Sequence, residues 1–297
     1  MSSKLRLATG PVTWGVDFAD TPGNPPWSVV LDDIERSGIG ALELGPVGYL
    51  PEAPDALRDA LASRSLTAVG SYVFENLHDP AEADEILAVT ERACRMIAAG
   101  GGAVLVVIDR PDERRAATAG RQQDARRLDD REWRAMLDTI QRVAAIARRF
   151  DLRPVYHPHA GGYVEFLDEI ERLVSDTAGT DIGLCLDTGH LTYGRTDPVT
   201  ALRTFADRVG HVHFKDIRGD VLNRVDTEAL DFWSAIAAGI FCPIGEGIVD
   251  MGAVLDALDD IGYDGYATIE QDRVPGSGAP LDDLRRSMAV LAELQQR

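Results

Sequence analysis

Short apolar runs alternate with amphipathic stretches along the whole chain. Residues 5–14, 41–45, 66–74, 103–108, 154–156, 182–186, 209–214 and 266–270 read as strands. The run Ala103-Val104-Leu105-Val106-Val107-Ile108 is apolar throughout, as a strand covered on both faces must be. Helical spacing fills the intervals, over 27–37, 54–63, 80–99, 130–150, 163–175, 198–209, 251–261 and 281–296. The helix at 130–150 sets Trp133, Leu137, Ile140 and Ala144 on one face. Gly38 and the run Gly100-Gly101-Gly102 act as stops. Asp79-Pro80 and Asp197-Pro198 each offer an N-cap aspartate followed by proline at the first helical position.

Strand followed by helix throughout requires a parallel sheet. Eight such repeats in 297 residues, with no composition break, predict an α/β fold built as a single (β/α)8 TIM barrel over residues 1–297. Three stretches interrupt the rhythm. Residues 17–26 are a loop rich in Gly and Pro. Residues 109–129 carry RPDERR and RRLDD without a core pattern, so they read as a charged loop insertion, either a lid over the barrel mouth or a disordered surface segment. A long connection from 217 to 243 contains an apolar segment at 230–241.

The net charge of −19 and pI near 4.6 argue against nucleic acid or an anionic membrane as partner, since phosphate would be repelled. No apolar run approaches the roughly 18 residues of a membrane span. The opening MSSKLRLATG lacks the apolar core of a signal peptide, so a cytoplasmic location is expected. Cys94, Cys185 and Cys242 are too dispersed for a disulfide framework or a Cys-x-x-Cys site. Gly-rich phosphate-binding signatures do not follow any strand.

Five of the six histidines, His157, His159, His190, His211 and His213, lie in residues 155–216. Polar groups at the carboxyl ends of parallel barrel strands share one cavity. Asp187, His213 and Glu270 each follow an apolar strand, and together they suit a divalent metal with positions left open for substrate. Singly, Asp187 also fits a helix cap and His213 a core histidine. Strand five should add a fourth ligand, for which His157, His159 and Glu165 compete. Glu165 also fits a carboxylate stabilised by a helix dipole. Lys215, one of two lysines, suits a general acid or base. His190 could shuttle a proton or support Asp187. Trp14 and Tyr193 could wall a pocket, Trp14 equally fitting the core. Glu43 reads as a base or a buried structural carboxylate, and Glu246 as a solvated turn residue.

The motifs PVTWGVD (11–17), VYHPHAGGYVE (155–165), GLCLDTGH (183–190) and HVHFKD (211–216) resemble the xylose-isomerase-like barrel superfamily of sugar isomerases and epimerases, and within it the inosose dehydratases. The resemblance implies metal ligands at Asp187, His213 and Glu270, with Glu165 or His157 as the fourth. Many relatives place a glutamate where His157 stands, and the epimerase mechanism exchanges a proton between two glutamates. Histidines at this place point instead to dehydration. The resemblance further implies a hydro-lyase using Mn²⁺ or Co²⁺, with Zn²⁺ or Mg²⁺ also compatible, on a cyclic keto-polyol such as 2-keto-myo-inositol. His157 or His159 would be the base, and Lys215 or His190 would assist the enolate or the departing hydroxyl. The alternatives are a ketose or keto-inositol epimerase or isomerase, a dehydratase for another keto-acid ring such as dehydroshikimate, and a non-catalytic sugar-binding barrel. Barrels of this size often associate, which leaves a homo-oligomer open.

Overall fold

In the computed structural model, which describes residues 5–296, eight parallel strands close into a barrel. They are Arg6–Thr9, Ala41–Glu43, Thr67–Glu75, Val104–Asp109, Arg153–His157, Gly183–Asp187, Val209–Phe214 and Tyr266–Ile269. Each pairs with its neighbour in sequence, and the first closes the ring against the last. The two-residue period of a strand sends alternate side chains to opposite faces. Val106, Ile108, Val155 and Cys185 therefore cluster within the ring. Leu105, Val107, Leu184, Leu186, Val212 and Phe214 pack into the larger core shared with the surrounding helices. Register then levels the chemistry, with Asp187 opposite His213 and Thr268 also opposite His213.

Several boundaries differ from the sequence expectation. The first strand stops at Thr9, and Pro11–Trp14 forms a 3-10 turn closed by Gly15 at φ +82°. A Cβ on Gly15 would lie 2.8 Å from the Arg273 carbonyl, so only glycine fits there. Asp79 does not cap the third helix. Its side chain accepts from Ala81 N–H in a turn, and the helix Ala83–Gly100 begins later. Asp197 does cap, accepting from Thr200 N–H at 3.0 Å ahead of Pro198. The helix after the fifth strand starts only at Leu167, which leaves residues 158–166 as a loop.

The segment 109–129 is ordered and partly buried. It carries a short helix, Glu113–Ala116, whose Arg115 is completely buried. Ala116 and Ala119 join Ala160, Tyr193, Ile217 and Phe232 in a second hydrophobic cluster. The remainder of that cluster comes from the long connection, where helices Gly219–Thr227 and Phe232–Ala237 lie between two short antiparallel strands, Asp216–Ile217 and Phe241–Cys242. Arg121 ties the two insertions by donating to the carbonyls of Val225 and Leu230, both at 3.0 Å. No helix among the described residues is long and apolar enough to cross a membrane.

Candidate active site

Asp187 ends the sixth strand and begins the helix Thr188–Tyr193. Its Oδ1 accepts the N–H groups of Gly189 and His190, both at 2.8 Å, which is an N-cap. Its Oδ2 is buried and makes no hydrogen bond. One carboxylate thus caps a helix through one oxygen and turns the other into the barrel mouth. Two imidazoles meet that second oxygen. His157 Nδ1 lies 2.7 Å from the Pro158 carbonyl and donates to it, so the bare nitrogen is Nε2, 3.5 Å from Asp187 Oδ2. His213 Nε2 donates to Glu43 Oε1 at 2.9 Å, which leaves Nδ1 bare, 3.6 Å from Asp187 Oδ2 and 3.2 Å from Glu270 Oε2.

The ligand atoms of His157, Asp187 and His213 all lie within 4.8 Å of one another. Lone pairs facing each other in a buried space repel, and His213 Nδ1 and Asp187 Oδ2 lack any hydrogen bond, with Lys215 Nζ reaching that oxygen only at 3.3 Å. The donor set therefore fits a divalent metal. Burial disfavours a charge on His213, but Cys185, Glu270 and Glu43 more than offset it and hold its pKa well above the ordinary value. A bound cation would take the place of that proton.

Glu43 orients this histidine from inside the ring. Its Oε1 accepts from His211 Nε2 (2.8 Å), His213 Nε2 (2.9 Å) and Thr268 Oγ1 (2.6 Å). Burial would raise its pKa, but His213 and His211 hold it well below the usual carboxylate range. A carboxylate behind a ligating histidine fixes which nitrogen stays bare. Glu43→Gln is expected to weaken divalent-metal affinity ~10–100-fold, measured by metal titration of the refolded apoprotein. Unchanged affinity would reduce Glu43 to a packing role.

Lys215 Nζ is buried beside the same group, 3.3 Å from Asp187 Oδ2 and 2.9 Å from both Glu270 Oε2 and Asp272 Oδ1. Burial opposes its charge, but Asp187, Asp272 and Glu270 outweigh burial and raise its pKa well above ordinary. His190 Nε2 lies 3.1 Å from the same Nζ, while its Nδ1 accepts from Ala160 N–H at 3.2 Å. The rings of His159 and His190 are 3.8 Å apart. Burial, His190 and His157 depress the pKa of His159 well below the ordinary value, so this ring is neutral. His159 Nδ1 donates to the Ala160 carbonyl at 2.9 Å, leaving Nε2 as the basic nitrogen. His157, His159, His213, Lys215 and Glu270 line one cavity together with Asp17, Tyr72, Phe74 and Asp272.

Glu165 is not among the converging groups, which corrects the expectation that it is a metal ligand. Its oxygens accept from Gly120 N–H (2.7 Å), Gly161 N–H (3.0 Å) and Arg115 (3.2 Å). The strand ends at His157, so that imidazole takes the position facing Asp187. Tyr193 lies in the second hydrophobic cluster, and the Trp14 indole donates to Asp33 from the core, so neither walls the cavity. Glu246 pairs with Arg286 at the surface. Asp17 and Asp272 escape a sequence reading based on strand ends, because both sit on loops beyond them. The only available signal was the placement of Asp17 in PVTWGVD.

Residues 31–294 match the family described as xylose isomerase-like TIM barrel. The inosose dehydratase of Geobacillus kaustophilus (strain HTA426) is 31% identical over 284 residues, covering 93% of this chain and 90% of the relative. The rhizopine catabolism protein MocC of Rhizobium meliloti is 30% identical over 294 residues, covering 98% and 88%. Among solved structures, an IolI protein with a bound zinc atom superposes with TM-score 0.73 at 14% identity, covering 98% of each chain. The probable 3-DHS dehydratase AsbF of Bacillus anthracis gives TM-score 0.73 at 14% identity, covering 97% and 98%. At such identities the structural likeness speaks for the fold, whereas the sequence matches span nearly the whole chain. The chain belongs to the xylose isomerase-like TIM barrel family.

Proposed function

We propose that this lyase removes water from an uncharged cyclic keto-polyol, with 2-keto-myo-inositol as the expected substrate. The observation that carries this reading is the meeting of three bare donor atoms, on His157, Asp187 and His213, beside a neutral His159 and the charged Lys215. The relatives named as inosose dehydratases support the reaction class. His157, Asp187, His213 and Glu270 would hold the metal, a mixed imidazole and carboxylate set compatible with Mn²⁺ or Co²⁺ and also with Zn²⁺ or Mg²⁺. When bound, the metal supplies Lewis-acid polarisation of the ketone, worth several kcal/mol of transition-state charge stabilisation.

The protein supplies the proton handling. His157 is committed to the metal group, so His159 takes the proton α to the ketone through Nε2. General-base help of this kind contributes ~10²–10⁴-fold. Lys215, held charged by its three carboxylates, stabilises the oxygen on which negative charge develops, with His190 behind it. Among the described residues, Lys215 is the only lysine or arginine on the cavity wall. Its charge is already shared among three carboxylates, so the protein offers a substrate carboxylate or phosphate no unshared cationic side chain there. That favours a keto-polyol over a keto acid such as dehydroshikimate.

The metal-loaded protein is expected to raise ultraviolet absorbance on addition of 2-keto-myo-inositol, because dehydration yields an enol or dione. Epimerisation leaves the spectrum flat and would transfer the site to an isomerase. Metal binding without turnover across a panel of keto-polyols would instead mark a sugar-binding barrel.

A further inference from the structure

Among the described residues, the Asp17 side chain makes no hydrogen bond and no ion pair, although it lines the same cavity as His157, His159 and Lys215. Its backbone, in contrast, is fixed on several sides. The Tyr72 hydroxyl donates to the Asp17 carbonyl at 2.9 Å. Val16 is fully buried, and Gly15 turns against Arg273 and Pro275 with no room for a Cβ. A carboxyl group carried on a rigid backbone into a functional cavity, with no hydrogen bond or ion pair to the protein, is free to engage a substrate group. Asp17 follows the first strand and His159 follows the fifth, which are four places apart in either direction around eight strands. The two residues therefore come from loops after well-separated strands and line one cavity, one carrying the base and the other a carboxyl with no hydrogen bond.

We propose that Asp17 is a catalytic residue that protonates the hydroxyl group lost from the substrate. The inference rests on the dehydratase reading above. The C–H bond α to the ketone breaks and its proton joins His159 Nε2. The electron pair left on carbon forms the new C=C bond as the C–O bond at the β carbon breaks. The departing oxygen keeps that bond pair and takes the proton of the Asp17 carboxyl, leaving as water. His159 then returns a proton to solvent and Asp17 regains one, so the enzyme is restored with no oxidant or reductant.

The test compares wild type with Asp17→Asn, both metal-loaded, on 2-keto-myo-inositol and on an analogue with fluorine in place of the β hydroxyl. Fluoride departs without protonation. Asp17→Asn is expected to lose ~10²–10⁴-fold in dehydration of the hydroxyl substrate. It should keep its metal content, still exchange the α hydrogen with D₂O, and eliminate fluoride within a few-fold of wild type. Asp17→Glu, which restores the acid on a longer arm, should recover part of the hydroxyl activity. Dehydration by Asp17→Asn at the wild-type rate would overturn the assignment. So would equal losses on both substrates in a variant whose circular dichroism and metal content match wild type, which is the signature of a positioning role. Failure of the wild type to dehydrate either substrate would overturn the dehydratase reading itself, and this inference with it.

Discussion

Asp187→Ala is expected to lose bound metal and turnover together. The substitution removes the oxygen on which His157 and His213 converge, and with it one of three carboxylates around Lys215. It also removes the cap of the Thr188–Tyr193 helix, a loss of about 1 kcal/mol. Asp187→Asn separates these effects. An asparagine oxygen still accepts from Gly189 and His190, so helix stability is kept, while the negative charge facing the metal is gone. Metal analysis by mass spectrometry, paired with thermal unfolding, should find both variants depleted of metal and only the alanine variant weakened at the helix. Metal at wild-type occupancy in the alanine variant would remove the centre from the proposed chemistry.

Arg115→Met is expected to cost about 3–5 kcal/mol, the range for removing one partner of a buried ion pair. Arg115 is completely buried and donates to Glu169 at 2.9 and 3.2 Å, to Glu165 at 3.2 Å and to the Arg126 carbonyl at 2.8 Å. Glu169 has a second cation, Arg127. Among the described residues Glu165 has none, and its charge would be stranded. Burial already pushes the Glu165 carboxyl from 4.5 up to about 7, against the pull of Arg115 and the Gly120 and Gly161 amides. With its folded-state pKa above the unfolded value, the unfolded chain releases the proton first, so this group's stability is full below about 4.5 and is lost as pH rises through about 7. Without Arg115 the folded-state pKa rises further and the loss continues to higher pH, so the deficit of the variant should be largest on the alkaline side. Urea unfolding across pH measures this, and a midpoint unchanged from wild type at alkaline pH would show that the pair carries no weight. Since Glu165 also holds Gly120 and Gly161, the variant should loosen segment 109–129 and the loop bearing His159, which hydrogen exchange would register.

The architecture was legible in the chain because its signals are local. Strand and helix periods, Gly stops and the Asp197-Pro198 start each depend on residues a few places apart, and eight such units admit few topologies at this length. The same logic placed Asp187, His213 and Glu270 at one rim, since the end of an apolar run marks the end of a strand. Which atom does what was decided only by the folded ring. The two oxygens of Asp187 are identical in sequence, and a cap and a free carboxylate looked like rival readings until the structure gave Oδ1 to the cap and left Oδ2 without a hydrogen bond at the barrel mouth. Glu165 and His157 were indistinguishable as ligands because the rival claim on Glu165 comes from Arg115, 50 residues away, in a segment whose alanines carry no periodic signal. Glu43 meets His213 across 170 residues. Such pairings follow from closure of the ring and from side-chain reach, so a chain read in order cannot contain them.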